Sequence, residues 1–149
     1  MARILVTTDA SPLGQQGVAH ARALATALGA ELTVLSVQTD PAPIVTGEFG
    51  YIVPLSEEEL RTQQAALRDE LTAAFPDTDV RIERTANRSV WQTILSTARS
   101  LNASMIVMTT HGRTGLGKML LGSVAQAVVE HSTIPVLLVR GEQPVAHWS

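Results

Sequence analysis

The sequence predicts an α/β fold: a single doubly wound, five-stranded parallel sheet in the order 3-2-1-4-5, with helices on both faces. Three observations carry this. Five short runs rich in branched apolar residues alternate with capped amphipathic stretches, giving the order β-α-β-α-β-α-β-α-β. The connections between runs are long enough for the crossovers that parallel strands require. The two loops that carry polar caps or glycines follow the first and fourth strands. Open parallel sheets bind ligands beyond the carboxyl ends of the strands, where the strand order reverses, and in the 3-2-1-4-5 order strands 1 and 4 are neighbours at that switch.

The elements follow from local chemistry. Ile4-Leu5-Val6 continues into Thr7 and Thr8 as the first strand. Asp9-Ala10-Ser11-Pro12 comes next, with Ser11 as N-cap and Pro12 at the first helical position. The helix runs toward Leu28, with Val18, Ala21, Leu24, Ala25 and Leu28 on one face, and Gly29 stops it. Leu32 to Val37 forms the second strand. From Gln38 to Pro54 the chain gathers Pro41, Pro43, Gly47 and Gly50, which reads as an irregular insertion, and Phe49, Tyr51 and Ile52 suggest that it folds back onto something apolar. Ser56-x-x-Glu59 is a capping box opening a polar helix that ends near Phe75, before Pro76. Val80 to Arg84 makes a third, weaker strand.

Ser89-x-x-Gln92 caps a third helix through Ile94, Leu95 and Ala98 to Leu101, and Asn102 suits a left-handed stop. Met105-Ile106-Val107-Met108 is continuously apolar, as a strand buried on both faces must be. Ser123-x-x-Gln126 reads as another capping box, so the fourth helix runs from Val124 to about His131. Ile134-Pro135 leads into a fifth strand, Val136 to Val139. The expected organisation is one domain over 1–149, with the insertion at 38–54 and an aperiodic tail at 141–149.

Between the fourth strand and fourth helix lies Thr109 to Ser123, T-T-H-G-R-T-G-L-G-K-M-L-L-G-S. A glycine-rich loop joining a strand to a helix start is a phosphate cradle, because uncommitted N–H groups there attract anions. Two known phosphate motifs fail on it. Gly112-x-x-x-x-Gly117-Lys118 matches the opening of a P-loop, but Met119 follows where a hydroxyl must hold magnesium. The dinucleotide fingerprint fails because Gly115-Leu116-Gly117 is followed by Lys118, Met119 and Leu120, with no third glycine.

What matches is Gly112, nine residues, then Gly122-Ser123, which resembles the nucleotide-binding loop of the universal stress protein family, G-x-x-G-x9-G-S/T. Thr109 stands where the first glycine of that pattern belongs. The opening I-L-V-T-T-D-A-S is similar to the family's first strand and aspartate turn, with Thr7 replacing a proline, and S-T-I-P-V-L-L-V is similar to its last strand. The resemblance covers Ile4 to Arg140. It implies the adenine nucleotide alpha-hydrolase-like fold, ATP or AMP as ligand with any Mg2+ held by the phosphates, and a homodimer through antiparallel pairing of the fifth strands, Val136, Leu137, Leu138 and Val139.

The resemblance also implies the site. Thr7, Thr8 and Asp9 lie at the end of strand 1, Asp9 contacting ribose or base, and the backbone at Val37 holds adenine. Met108, Thr109, His111, Gly112 and Arg113 follow from strand 4, and Gly122, Ser123 and Val124 complete the phosphate side. Glycine at 112 and 122 lets the backbone approach phosphate closely. Arg113 and Lys118 could neutralise its charge. His111 has no chain neighbour forming a triad or metal motif, so no catalytic residue is assigned. His20, His131 and His147 sit at unrelated places, and Trp91 reads as packing.

Composition narrows the classes. The 149 residues are 45% hydrophobic with a formal charge of −3, ordinary for a globular protein with a real core. No lysine–arginine cluster appears and aromatic residues are only 3%, which argues against nucleic acid. The absence of cysteine excludes disulfides, thiolate catalysis and cysteine-based zinc sites. No run reaches membrane-spanning length and the N-terminal stretch is too briefly apolar for a signal peptide, so a cytoplasmic protein is expected. Within these bounds the resemblance implies a stress protein regulated by adenine nucleotide. Two alternatives stand beside it: an interaction protein of the same fold that has lost the nucleotide, which Thr109 favours, and a slow ATPase.

Overall fold

A computed structural model describes residues 2–9, 12–39, 44–46, 50–52, 56–110, 122–140 and 145. Strand β1 (Arg3–Thr7) leads to α1 (Pro12–Leu28) and β2 (Glu31–Gln38), followed by short strands β3 (Ile44–Thr46) and β4 (Gly50–Ile52). Then come α2 (Glu57–Ala74), β5 (Asp79–Arg84), α3 (Val90–Ser100), β6 (Met105–Thr110), α4 (Ser123–His131) and β7 (Val136–Arg140). The main sheet has five strands in the order β5-β2-β1-β6-β7, with every pairing parallel. Setting the short pair β3 and β4 aside, this is the predicted 3-2-1-4-5 order.

Strand periodicity sorts the core into two layers, because successive side chains point to opposite faces. Ile4, Val6, Leu32, Val34, Ile82, Val107 and Val139 face the buried sides of α1 and α2, namely Val18, Ala21, Leu24 and Ala25, and Leu71 and Phe75. Leu5, Leu35, Ile106 and Met108 face Ile94, Leu95 and Ala98 of α3 and Ala125 and Val128 of α4. Val6 and Leu5 are fully buried at the sheet centre, with Val34 and Val107 in register on either side of Val6. Burial on both faces is why these strands read as unbroken apolar runs. Each such side chain contributes about 1.5–3 kcal/mol relative to exposure.

The helix ends largely obey the sequence signals. Ser56 accepts from the Glu59 N–H at 3.2 Å without the return bond from the Glu59 side chain, so only half of the expected box forms there, whereas Ser89 and Gln92 form a complete capping box. Gly29 ends α1 at φ 65°, and Asn102 follows α3 at φ 52°. Three further expectations need correction. The α4 N-cap is Gly122, with no side-chain cap, and Ser123 is the first helical residue, so the Ser123–Gln126 box does not form. The 38–54 insertion is not wholly irregular, since Ile44–Thr46 pairs antiparallel with Gly50–Ile52. Leu28 is 60% exposed, because it lies in the last turn of α1, beyond the sheet's cover. The proposed N-cap Ser11 and nearly all of the 141–149 tail lie outside the described residues.

At the amino ends of the strands, Arg3 donates to Thr33 Oγ1 at 2.8 Å and to Glu31 at 2.5 Å, and Thr33 donates to Asp79 at 3.2 Å. These bonds span β1, β2 and β5 and leave the fully buried Thr33 hydroxyl satisfied. At the β5 edge, Gln64 of α2 donates to the Ile82 carbonyl at 3.0 Å and Arg84 pairs with Glu57 at 2.9 Å, so a helix covers that edge. Among the described residues no helix is long and apolar enough to cross a membrane.

Arg22 donates to Asp77 at 2.5 Å, and this hydrogen bond holds the Asp77 carboxyl below its ordinary value of 3.8. A carboxyl lowered in the folded state adds stability above its unfolded pKa and loses it as pH falls through the lowered value. Urea midpoints taken from about pH 5 down to about pH 2 should therefore fall less steeply for Asp77→Asn than for the parent; parallel curves would refute the pairing. In the turn between β5 and α3, the Arg88 N–H bonds the Thr85 carbonyl at 2.9 Å, and Ala86 and Asn87 both have positive φ, 49° and 69°. Asparagine tolerates that conformation but alanine pays about 1–2 kcal/mol for it, against about 0.4–1 for the extra chain freedom of glycine. Ala86→Gly should thus raise stability by up to about 1 kcal/mol. The same change at the fully buried Ala98 of α3 should lower it by about 1 kcal/mol or more.

Candidate functional site

The β1–β2 and β2–β5 connections place α1 and α2 on one face, while the β5–β6 and β6–β7 connections place α3 and α4 on the other. The chain therefore leaves β1 and β6 toward opposite faces, and a cavity of about 210 Å³ opens beyond their carboxyl ends. Its floor is apolar. Val37 closes one side, Val90 and Ile94 come from the first turns of α3, Met108 from β6 and Val124 from the first turn of α4. Its rim is polar, formed by Thr7, Thr8 and Asp9. Thr8 is buried and its N–H bonds the Leu35 carbonyl at 2.9 Å, which carries the strand direction one residue past β1, and Asp9 is exposed.

Seven of the residues expected from the sequence come together here. Thr7, Thr8, Asp9 and Val37 do so at the ends of β1 and β2, and Met108, Thr109 and Val124 on the other side of the switch. Gly122 and Ser123 do not line the cavity but immediately precede Val124, at the start of α4. That start carries no side-chain cap and no acidic residue in its first turn. Among the described residues, then, no side chain caps its leading N–H groups at the positive end of the helix dipole, the condition for an anion site. His111, Gly112 and Arg113, together with Gly115, Gly117 and Lys118, lie outside the described residues.

Two contributors were missed in the sequence. Gly14 and Gly17 are buried in α1, three residues apart and so on one helix face. A Cβ at Gly14 would lie 2.5 Å from Asp9 Oδ1 and 2.7 Å from Thr8 Oγ1, and one at Gly17 would collide with Thr109 Oγ1. The signal was legible, because glycine inside a helix costs about 1 kcal/mol against alanine and two at this spacing need a packing reason. Val90 and Ile94 were also missed, their apolar side chains being indistinguishable from core in sequence.

Thr109 sits at the rim with its hydroxyl turned away. Side chains alternate along β6, with Val107 in the α1–α2 layer and Met108 in the α3–α4 layer, so Thr109 returns to the α1 side. Among the described residues, two buried side-chain atoms have no hydrogen-bond partner, Thr109 Oγ1 and Gln38 Oε1. Both lie at the carboxyl ends of strands, the end that holds the cavity. Trp91, read as packing, stacks on His131 with ring centroids 4.3 Å apart. No group of three or more acidic or histidine side chains able to hold a metal occurs among the described residues.

Comparison with known proteins supports the same assignment of architecture. A family model described as "Universal stress protein family" matches residues 1–140. A universal stress protein of Mycolicibacterium smegmatis is 34% identical over 142 residues, covering 92% of this chain and 45% of that protein, so the chain spans about half of that relative's length. Universal stress protein A homolog 1 of Coxiella burnetii is 33% identical over 138 residues, covering 91% of this chain and 94% of that one. A universal stress protein crystallised in complex with cAMP superposes with a TM-score of 0.63 at 20% identity, covering 95% of this chain and 98% of the other. By the match along its length and by its strand order, the chain belongs to the universal stress protein family.

Proposed function

We propose that this protein binds an adenine nucleotide, ATP or AMP, beyond the carboxyl ends of β1 and β6, and acts in stress response through that binding. The carrying observation is the cavity's division of chemistry. Its apolar floor of Val37, Ile94 and Met108 suits a flat base, and its rim of Thr7, Thr8 and Asp9 offers acceptors and hydroxyls to a ribose. On the α4 side, Gly122 and Ser123 supply a helix start without a cap, suited to phosphate. A relative of the same fold is known in complex with cAMP, an adenine nucleotide, which is consistent with this reading. The orientation of Thr109 weighs against loss of the ligand, since its hydroxyl is buried against Gly17 of α1. Any Mg2+ would be carried by the phosphates.

The direct test is mass spectrometry of small molecules released from native purified protein, with calorimetry of ATP and AMP. Gly122→Asp separates binding from folding. Gly122 is an N-cap at φ −61° and ψ 155°, where aspartate is among the best residues. The variant should fold at least as stably as the parent, while its carboxylate repels phosphate and ATP affinity drops by about tenfold or more. Unchanged affinity would misplace the phosphate side.

The reading includes a homodimer. β7 is an edge strand of the sheet, Val136, Leu137 and Leu138 are only half buried, and the run carries no lysine to discourage pairing. The opposite edge, β5, has Gln64 and Arg84–Glu57 covering it. Light scattering at micromolar concentration should return the mass of two chains, and a monomer would overturn the assembly.

A further inference from the structure

We infer that Gly17 and Thr109 form a size-matched lock between α1 and the end of β6, which holds the Thr109 side chain on the α1 side of the sheet and so keeps the cavity open. The role given to the cavity rests on the nucleotide-binding reading; the lock itself does not.

The argument starts from the departure at position 109. A threonine at a strand end beside a ligand cavity carries two heavy atoms on Cβ, so two of its three staggered arrangements send one of them toward the neighbouring helix and the third does not. Here the hydroxyl goes toward α1. A Cβ built at Gly17 would collide with Thr109 Oγ1, would stand 3.2 Å from Thr109 Cβ and 3.7 Å from Cγ2, and meets no other residue among its three nearest atoms. Thr109 is therefore the side chain that a Cβ at Gly17 meets first. The hydroxyl is also buried without a partner, so hydrogen bonding does not explain its placement and steric fit must.

The two glycines of α1 divide the work. Gly14 admits Thr8 and Asp9 from β1, and Gly17 admits Thr109 from β6, so one helix face seats both strand ends that flank the cavity. Filling the space at Gly17 must move either α1 or Thr109. Since α1 is seated on the fully buried Val18 and Ala21 next to it, Thr109 is the part that yields, toward the cavity. Gly17 is thus a positioning residue that acts through Thr109.

The test is a mutant cycle read by melting temperature and by ATP calorimetry. Gly17→Ala should lower the melting midpoint by about 3 °C or more and weaken ATP binding by about tenfold or more. Adding Thr109→Gly to Gly17→Ala should restore most of both, because it removes the colliding atoms, whereas adding Thr109→Val should not, because valine keeps their volume. In the parent background Thr109→Val should raise the midpoint, since it removes an unpartnered buried hydroxyl. If Gly17→Ala does not fold, recovery of folding by Thr109→Gly supports the lock. Additive effects, equal rescue by valine and glycine, or no rescue by glycine overturn it. Coupled melting temperatures with no ATP binding by any variant would uphold the lock and defeat the nucleotide reading.

Discussion

The structure depends on β1 being paired on both sides by parallel strands whose connections lie on opposite faces of the sheet. Val6 is in register with Val34 of β2 and Val107 of β6, and all three are fully buried. A helix returning from β1 must cross one face to reach β2, while the chain that reaches β6 arrives across the other. No helix can then cover the carboxyl ends of β1 and β6 at once. The cleft is a consequence of strand order, and chemistry comes to it only because the residues at those ends are Thr7, Thr8, Asp9, Met108 and Thr109.

The opposite end of the sheet shows what a position without a switch looks like. Arg3, Glu31, Thr33 and Asp79 bond one another across three strands, and Arg22 pairs with Asp77. Arg3 and Arg22 each have an anion beside them, so this polar surface holds the strands and α1 in place. At the carboxyl end the balance differs. Among the described residues, the buried side-chain atoms without partners, Thr109 Oγ1 and Gln38 Oε1, are both at that end, and α4 begins there without a side-chain cap. The uncapped start of α4 is the part of this end that a ligand can use, whereas the Thr109 hydroxyl, buried against Gly17, serves packing instead.

Much of the fold was legible because local signals agreed with each other. Continuous apolar strands, the Ser56 and Ser89 caps, and the stops at Gly29 and Asn102 each have a short-range cause, so a reading of neighbours in sequence recovers them. The errors fell where that locality failed. Ser123 was read as a cap because serine is the better capping residue in isolation, but the extended residue before α4 is Gly122. The Ile44–Thr46 and Gly50–Ile52 pair was hidden by the prolines and glycines around it.

For the site, sequence by itself determined the residue types and their order: an aspartate turn after the first strand, a glycine–serine pair separated from Gly112 by nine residues, and two strands whose loops had to meet. These are properties of motif spacing and of strand order, both of which are carried along the chain. Only the tertiary structure decided which side of the sheet Thr109 faces, that Gly14 and Gly17 make room for it and its neighbours, and that Val90 and Ile94 floor the cavity. Those facts depend on how closely α1 and α3 approach strand ends far away in sequence. Such distances arise from packing between elements, and no local propensity encodes them.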